Sequence, residues 1–158
     1  MTAIAPSDRR PLAGETEVPD PAFDPLEYVK LQLQRPPYHQ FLRPQAVRAD
    51  QATGTVLIVL PFRPEFRRSP DVDFYHGGVL AALVDIAAYA AVSLAVRRPT
   101  PTIDLRIDYL RSASGVDLTA TAKILRIGAS VARADVEIVG ADPPLLVVGR
   151  GTFSTRES

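Results

Sequence analysis

A chain of 158 residues with 18 basic and 18 acidic side chains has no net charge, so no overall positive field draws it to nucleic acid or anionic membrane. The length suits one domain with a real core, and 46% hydrophobic against 23% charged residues is a globular balance. No cysteine and two histidines (His39 and His76) exclude disulfides, thiolate metal sites and cysteine nucleophiles, and make a histidine-rich metal centre a poor fit.

Proline partitions the chain: eleven of the fifteen lie in residues 1–70, and only Pro99 and Pro101 fall between 71 and 142. Residues 1–25 mix Pro, Gly, Asp and Glu without periodicity, which predicts a poorly ordered tail ahead of one domain over 26–158. That N-terminus has no apolar stretch behind a basic start, so it does not read as a secretory signal, and a cytoplasmic location is expected. Asp24 with Pro25 behind it is an N-cap pattern for a short helix over Leu26–Gln34, ended by Pro36-Pro37. The β-branched run Thr55–Leu60, closed by Pro61, predicts a strand. Gly77 to Val96 then reads as a helix roughly 30 Å long. It is apolar on nearly every side, as in a helix buried within a protein. A membrane span is disfavoured, because Asp85 interrupts the run and seven residues between Val79 and Val96 are weakly apolar alanines.

The remainder alternates with period two. Ile103, Leu105, Ile107 and Tyr109 form a dry face opposite Thr102, Asp104, Arg106 and Asp108. A turn at Ser114-Gly115 leads to a second strand over 116–124. Gly128 turns into a third, with Ala132, Ala134, Val136 and Ile138 on its apolar side. After Gly140–Pro144, a fourth runs from Leu145 to Phe153. Short turns predict that these four are antiparallel neighbours in a meander. One antiparallel sheet and one wholly apolar helix pack most simply if the sheet curls around the helix, an α+β arrangement.

Polar groups are rare on that helix. Asp85, Tyr89 and Ser93 are spaced four apart and share a stripe. An ionised carboxylate in an apolar helix is costly unless paired, hydrated or facing a cavity, so Asp85 either bonds structurally to backbone or to an arginine across an interface, or is a working group. His76-Gly77-Gly78 at the helix start exposes unbonded N–H groups at a partially positive end, which suits an oxyanion or a polarised carbonyl. A tight turn would explain the two glycines equally well. Eight residues separate Gly77 from Asp85, about 12 Å along the axis, too far to address one atom together unless a second subunit's helix contributes.

The segments Tyr75-His-Gly-Gly-Val-Leu-Ala-Ala-Leu-Val-Asp-Ile-Ala-Ala-Tyr89 and Thr102-Ile-Asp-Leu-Arg-Ile-Asp-Tyr-Leu-Arg111 resemble PaaI-like hotdog-fold acyl-CoA thioesterases, with likeness over about residues 40–155. The resemblance implies a curved antiparallel sheet wrapped around the central helix. It also implies a homodimer as the minimal active unit, a homotetramer as the expected assembly, and sites built from two subunits. It implies that the Gly77 N–H polarises the thioester carbonyl and that His76 shapes that end. Asp85 of the opposite subunit would act as general base or attacking carboxylate, and Thr102 would hold the water. Gly78, Tyr89 and Arg111 join the expected substrate-binding set, with Arg67 and Arg68 as further candidates for a coenzyme A phosphate. Relatives often carry Asn shortly before His-Gly-Gly. Here Ser69-Pro-Asp-Val-Asp-Phe-Tyr75 has none, leaving Asp71 or Asp73 as substitutes. An ionised carboxylate donates no hydrogen bond.

The expected activity is therefore hydrolysis of an acyl-CoA thioester to acid and thiol, with no metal or redox cofactor and coenzyme A entering only as part of the substrate. The runner-up is a hotdog module that binds an acyl-CoA without turning it over. Hydration or dehydration of an acyl thioester ranks behind both, because His76 and Asp85 do not obviously address one substrate carbon. A ligand-free scaffold leaves Asp85 unexplained. Phe74, Tyr75 and Tyr89 are candidate pocket aromatics, although aromatics near a helix start are more often core.

Overall fold

The computed structural model describes residues 22–141 and 144–156. Helix α1 spans Pro25–Gln34, and its N-cap Asp24 accepts hydrogen bonds from the backbone N–H groups of Leu26 and Glu27. A second short helix, α2 (Pro37–Leu42), follows directly. Strands β1 (Gln45–Asp50) and β2 (Thr55–Leu60) come next. Then a 3₁₀ turn over Pro64–Phe66 leads into the small hairpin β3 (Arg67–Ser69) and β4 (Val72–Tyr75). Helix α3 covers Gly77–Val96. Strands β5 (Thr102–Tyr109), β6 (Leu118–Ile127), β7 (Val131–Val139) and β8 (Leu145–Ser154) complete the chain.

Six strands form one antiparallel sheet in the order β1-β2-β6-β7-β8-β5. Helix α3 packs against β2, β5, β6, β7 and β8, so the sheet curls around it as the hotdog arrangement requires. The apolar alternation supplies this core. Val56, Ile58 and Leu60 of β2, Leu118, Ala120 and Ala122 of β6, and Ala132, Ala134, Val136 and Ile138 of β7 are all buried against Leu83, Val84, Ala87, Ala91 and Leu94 of α3. Alanine dominates that contact because small side chains bring helix and sheet close. At Gly149 the approach is closest: a Cβ there would lie 2.4 Å from Val84 Cγ1. By length and composition α3 is apolar enough to cross a membrane, but it is the core helix, with 61% of its most apolar window buried.

Several expectations need correction. The four C-terminal strands are not a simple meander: β6, β7 and β8 are successive neighbours, but β5 pairs with β8 and forms one edge of the sheet, β1 forming the other. The eight residues after Tyr109 do not make a hairpin; they cross the end of the sheet. The crossing is pinned where Tyr75 N–H donates to Ala113 O and Gly115 N–H donates to Asp73 O. Pro36-Pro37 ends α1 but also starts α2, since proline at the first helical position loses no helical hydrogen bond. Of the expected tail, residues 1–21 lie outside the described residues. At its end the Phe23 ring packs 5.7 Å from Tyr28 and beneath the Arg97 guanidinium.

The strict alternation expected for Thr102–Tyr109 is also broken. Thr102 opposes Phe153 while Asp104 opposes Thr152, so Ile103 is the extra residue of a β-bulge. Opposed residues share a face, and Phe153 is fully buried. Thr102 therefore shares the α3-facing side with Leu105 and Ile107, though it remains exposed at the sheet's edge, and Ile103 is turned to the outer side and is 57% exposed.

Candidate active site

Sheet and outer helices leave one strip of α3 open. Gly78 is exposed and Ala81, Ala82, Asp85 and Tyr89 are only half-buried, whereas Leu83, Val84, Ile86, Ala87 and Ala88 beside them are buried. Asp85 is the acidic side chain on this strip. The bulge at Ile103 turns Thr102 toward it, and Thr102 Oγ1 donates to Asp85 Oδ1 at 2.9 Å. A hydroxyl bonded to one carboxylate oxygen fixes the rotamer and leaves the other oxygen free to accept.

The helix start is built differently from a plain glycine turn. His76 is the N-cap, and its Nδ1 accepts from the Gly78 N–H at 3.0 Å. That bond requires a ring whose Nδ1 carries no proton, leaving Nε2 as the outward nitrogen. The Val79 N–H donates to His76 O, so the Gly77 N–H is left without an acceptor among the described residues. The two glycines have separate reasons. A Cβ on Gly78 would press to 3.0 Å from His76 Nδ1 and disturb the cap. A Cβ on Gly77 would meet only the Tyr109 ring at 3.7 Å, an ordinary contact, so nothing within this chain demands glycine there. A cleft of about 350 Å³ opens beside Gly77, with Arg68, Phe74, Leu80, Tyr109 and Arg111 among its walls.

Thus one protomer presents Asp85 with Thr102, and separately His76, Gly77 and Gly78 with Arg111, but does not join the two groups. Asp71 is exposed on the β3–β4 turn. Asp73 is committed to Arg67 at 2.6 Å, and neither carboxylate is placed beside Asp85 or Gly77. Arg68 lies over the Phe74 ring, and Arg111 Nη1 donates to Leu145 O at 3.2 Å.

Three residues near these groups escaped the sequence pattern. Tyr109, read as apolar face, donates its hydroxyl to Gly77 O at 3.0 Å and so ties the end of β5 to the helix start. Gln32 of α1 is 8% exposed, and its Oε1 accepts from the Tyr89 hydroxyl at 3.0 Å. His39 of α2 sets its ring edge-on to Tyr89, with centroids 6.3 Å apart. Burial raises the Tyr89 phenol above its ordinary range and keeps it a neutral donor. Burial likewise pushes the His39 imidazole below the usual histidine range, against opposing pulls from the Gln32 backbone and the Asp85 carboxylate. The only sequence signal for His39 is its rarity, as one of two histidines.

A family model described as "Thioesterase superfamily" matches residues 73–147, from β4 into β8. A solved protein described as belonging to that superfamily superposes with TM-score 0.79 at 31% identity, covering 84% of this chain and 98% of that one. The chain belongs to the thioesterase superfamily. Among curated relatives of this thioesterase-superfamily protein, a candidate esterase of Halobacterium salinarum is 35% identical over 115 residues, spanning 66% of this chain and 76% of that protein. The medium/long-chain acyl-CoA thioesterase YigI of Escherichia coli is 41% identical over 93 residues, 49% of this chain and 60% of YigI. Escherichia coli PaaI shares the fold, with TM-score 0.74 at 21% identity over 84% of this chain and 94% of PaaI.

Proposed function

We propose that the protein hydrolyses an acyl-CoA thioester to a free carboxylic acid and coenzyme A, at sites where Asp85 of one protomer works opposite Gly77 of a second. The observation carrying this reading is the half-buried Asp85 carboxylate, held by Thr102 on the open strip of an otherwise apolar helix. A charge in that setting has a desolvation cost that no ion pair offsets among the described residues. Membership of the superfamily and the similarity to YigI support thioester chemistry.

In the proposed reaction the thioester carbonyl oxygen accepts from the free Gly77 N–H, where the α3 dipole favours developing negative charge. Water held by Asp85 attacks the carbonyl carbon and gives its proton to the carboxylate. The C–S bond then breaks, and the thiolate leaves as coenzyme A and takes up a proton. Attack by the carboxylate itself, through an anhydride opened by water, uses the same two groups. The roughly 12 Å between Gly77 and Asp85 along the helix is what calls for two protomers. The cleft beside Gly77, with Arg68 and Arg111 in its walls, is then the expected path of the coenzyme A moiety, and no residue is asked to bind a metal.

The test is thiol release from a panel of acyl-CoAs, followed with a thiol reagent. Asp85→Asn should fold normally and lose on the order of 10²–10⁴ in turnover, the range for a lost general base. Undiminished thiol release by that variant would sink the assignment. One observation favours the second reading, a module that binds without turnover: no Asn precedes His76, and Asp73 is already paired with Arg67. Saturable binding across the panel with no thiol released would establish it.

A further inference from the structure

Tyr89 lies one helical turn beyond Asp85 on the same open strip, about 6 Å along the axis. Its ring is unusually well held. The hydroxyl donates to Gln32 Oε1 at 3.0 Å, Gln32 is itself buried, and the His39 ring stands edge-on against it. Two separate elements, α1 and α2, thus fix one side chain of α3. Tyr89 also borders an open cleft of about 500 Å³, with Arg98, Thr100, Pro101, Ser154 and Arg156 among its other walls. Neither Asp85 nor Thr102 lines it, although Tyr89 is a turn from the first and Pro101 immediately precedes the second. The volume is within the range that holds a small organic ligand.

We propose that Tyr89 is the partition that sets acyl length in this protein: a chain whose carbonyl sits by Asp85 stops at the ring, and the cleft it borders is space for a longer chain that the ring closes off. The inference rests on the acyl-CoA reading of the site and names its substrate class as acyl groups ending at Tyr89. It assigns Gln32 and His39 the role of holding the ring in place, so they act on length through Tyr89 and touch no reacting atom.

The test separates length selection from turnover by using S-alkyl coenzyme A thioethers, which cannot be hydrolysed, with alkyl chains of increasing length and calorimetry as readout. For the wild type, affinity should rise with chain length and then level off. For Tyr89→Ala the rise should continue past that point by about fourfold per added methylene. Tyr89→Leu, which keeps more of the core filled, serves if the alanine variant melts early, and should extend the rise by a shorter span. Tyr89→Phe, which keeps the ring but loses its bond to Gln32, should level off at a length between those of the wild type and Tyr89→Ala. Ser154→Phe placed in the Tyr89→Ala background should return the limit by filling the cleft. An identical length dependence in the wild type and in folded Tyr89→Ala or Tyr89→Leu overturns the proposal, as does a gain that survives Ser154→Phe. Tight thioether binding without hydrolysis of the matching acyl-CoA would instead count against the catalytic reading and leave the partition standing.

Discussion

Gly149→Ala tests how closely α3 must approach the sheet for Asp85 to meet Thr102. Gly149 sits on β8 opposite Ile107, directly over Val84, the neighbour of Asp85 on α3. An added methyl would stand 2.4 Å from Val84 Cγ1 and 3.2 Å from Arg106 O, so helix or strand must shift by roughly an ångström to restore ordinary contact. Overpacking of this kind costs about 1–3 kcal/mol. The smaller entropy of an unfolded chain with Ala in place of Gly offsets about 0.4–1 kcal/mol. The net loss is then about 1–2 kcal/mol, which for a domain of this size lowers Tm by about 2–8 °C. Val84→Ala alone should cost about 2 kcal/mol for the two buried carbons it removes. Combined with Gly149→Ala it should cost clearly less than the sum, because the new methyl occupies the vacated space, giving a coupling of at least about 1 kcal/mol. Urea denaturation of the four proteins measures the cycle. Additive costs, or a Gly149→Ala protein as stable as the wild type, would refute the claim that this contact limits the approach of helix to sheet.

Two further predictions concern the helix start and the outer helices. His76→Ala removes the side chain that caps α3 and should lower stability by about 1 kcal/mol, within the usual span for a lost N-cap, as read by urea denaturation. His39 has a folded pKa below its ordinary value because of burial. The neutral ring therefore favours the folded state at neutral pH, and that contribution is lost as pH falls below about 6.5 toward the folded value, since the unfolded chain then takes up the proton first. Thermal melting between pH 7.5 and 5.5 should show a fall in Tm that is smaller in His39→Gln. A fall of equal size in both proteins would place the pH dependence elsewhere.

Where a segment's own chemistry determines its structure, the sequence was readable. Asp24 before Pro25 marked α1, and His-Gly-Gly marked the start of a helix whose unbroken apolar character required burial. The alternation in β7 placed Ala132, Ala134, Val136 and Ile138 on the core side. What escaped notice depended on partners distant in the chain. Residues Gln45–Asp50 form an edge strand only because β2 supplies the other half of the ladder, and their mixed polarity carries no period. Turn length is a poor guide to the neighbours of β5, because the loop after it is held by β4 and does not close a hairpin. Of the candidate site, Asp85 was legible from the cost of a charge on that helix. Its link to Thr102 was not, because simple alternation points the hydroxyl to the outer face. Gln32 and His39 lie more than 45 residues before Tyr89 or Asp85 in sequence or carry no local signature, and only the docking of α1 and α2 brings them near.

The bulge at Ile103 makes the hydroxyl beside Asp85 a matter of residue count as much as residue type. With the same two residues between Thr102 and Leu105 in a regular strand, the threonine would look outward while every hydrophobic position downstream kept its orientation; the bulge turns it back. An irregularity at an edge strand therefore decides which side chain stands beside the carboxylate, with the packed interior left unchanged. In this architecture the chemistry can be edited at a place where folding hardly registers the change.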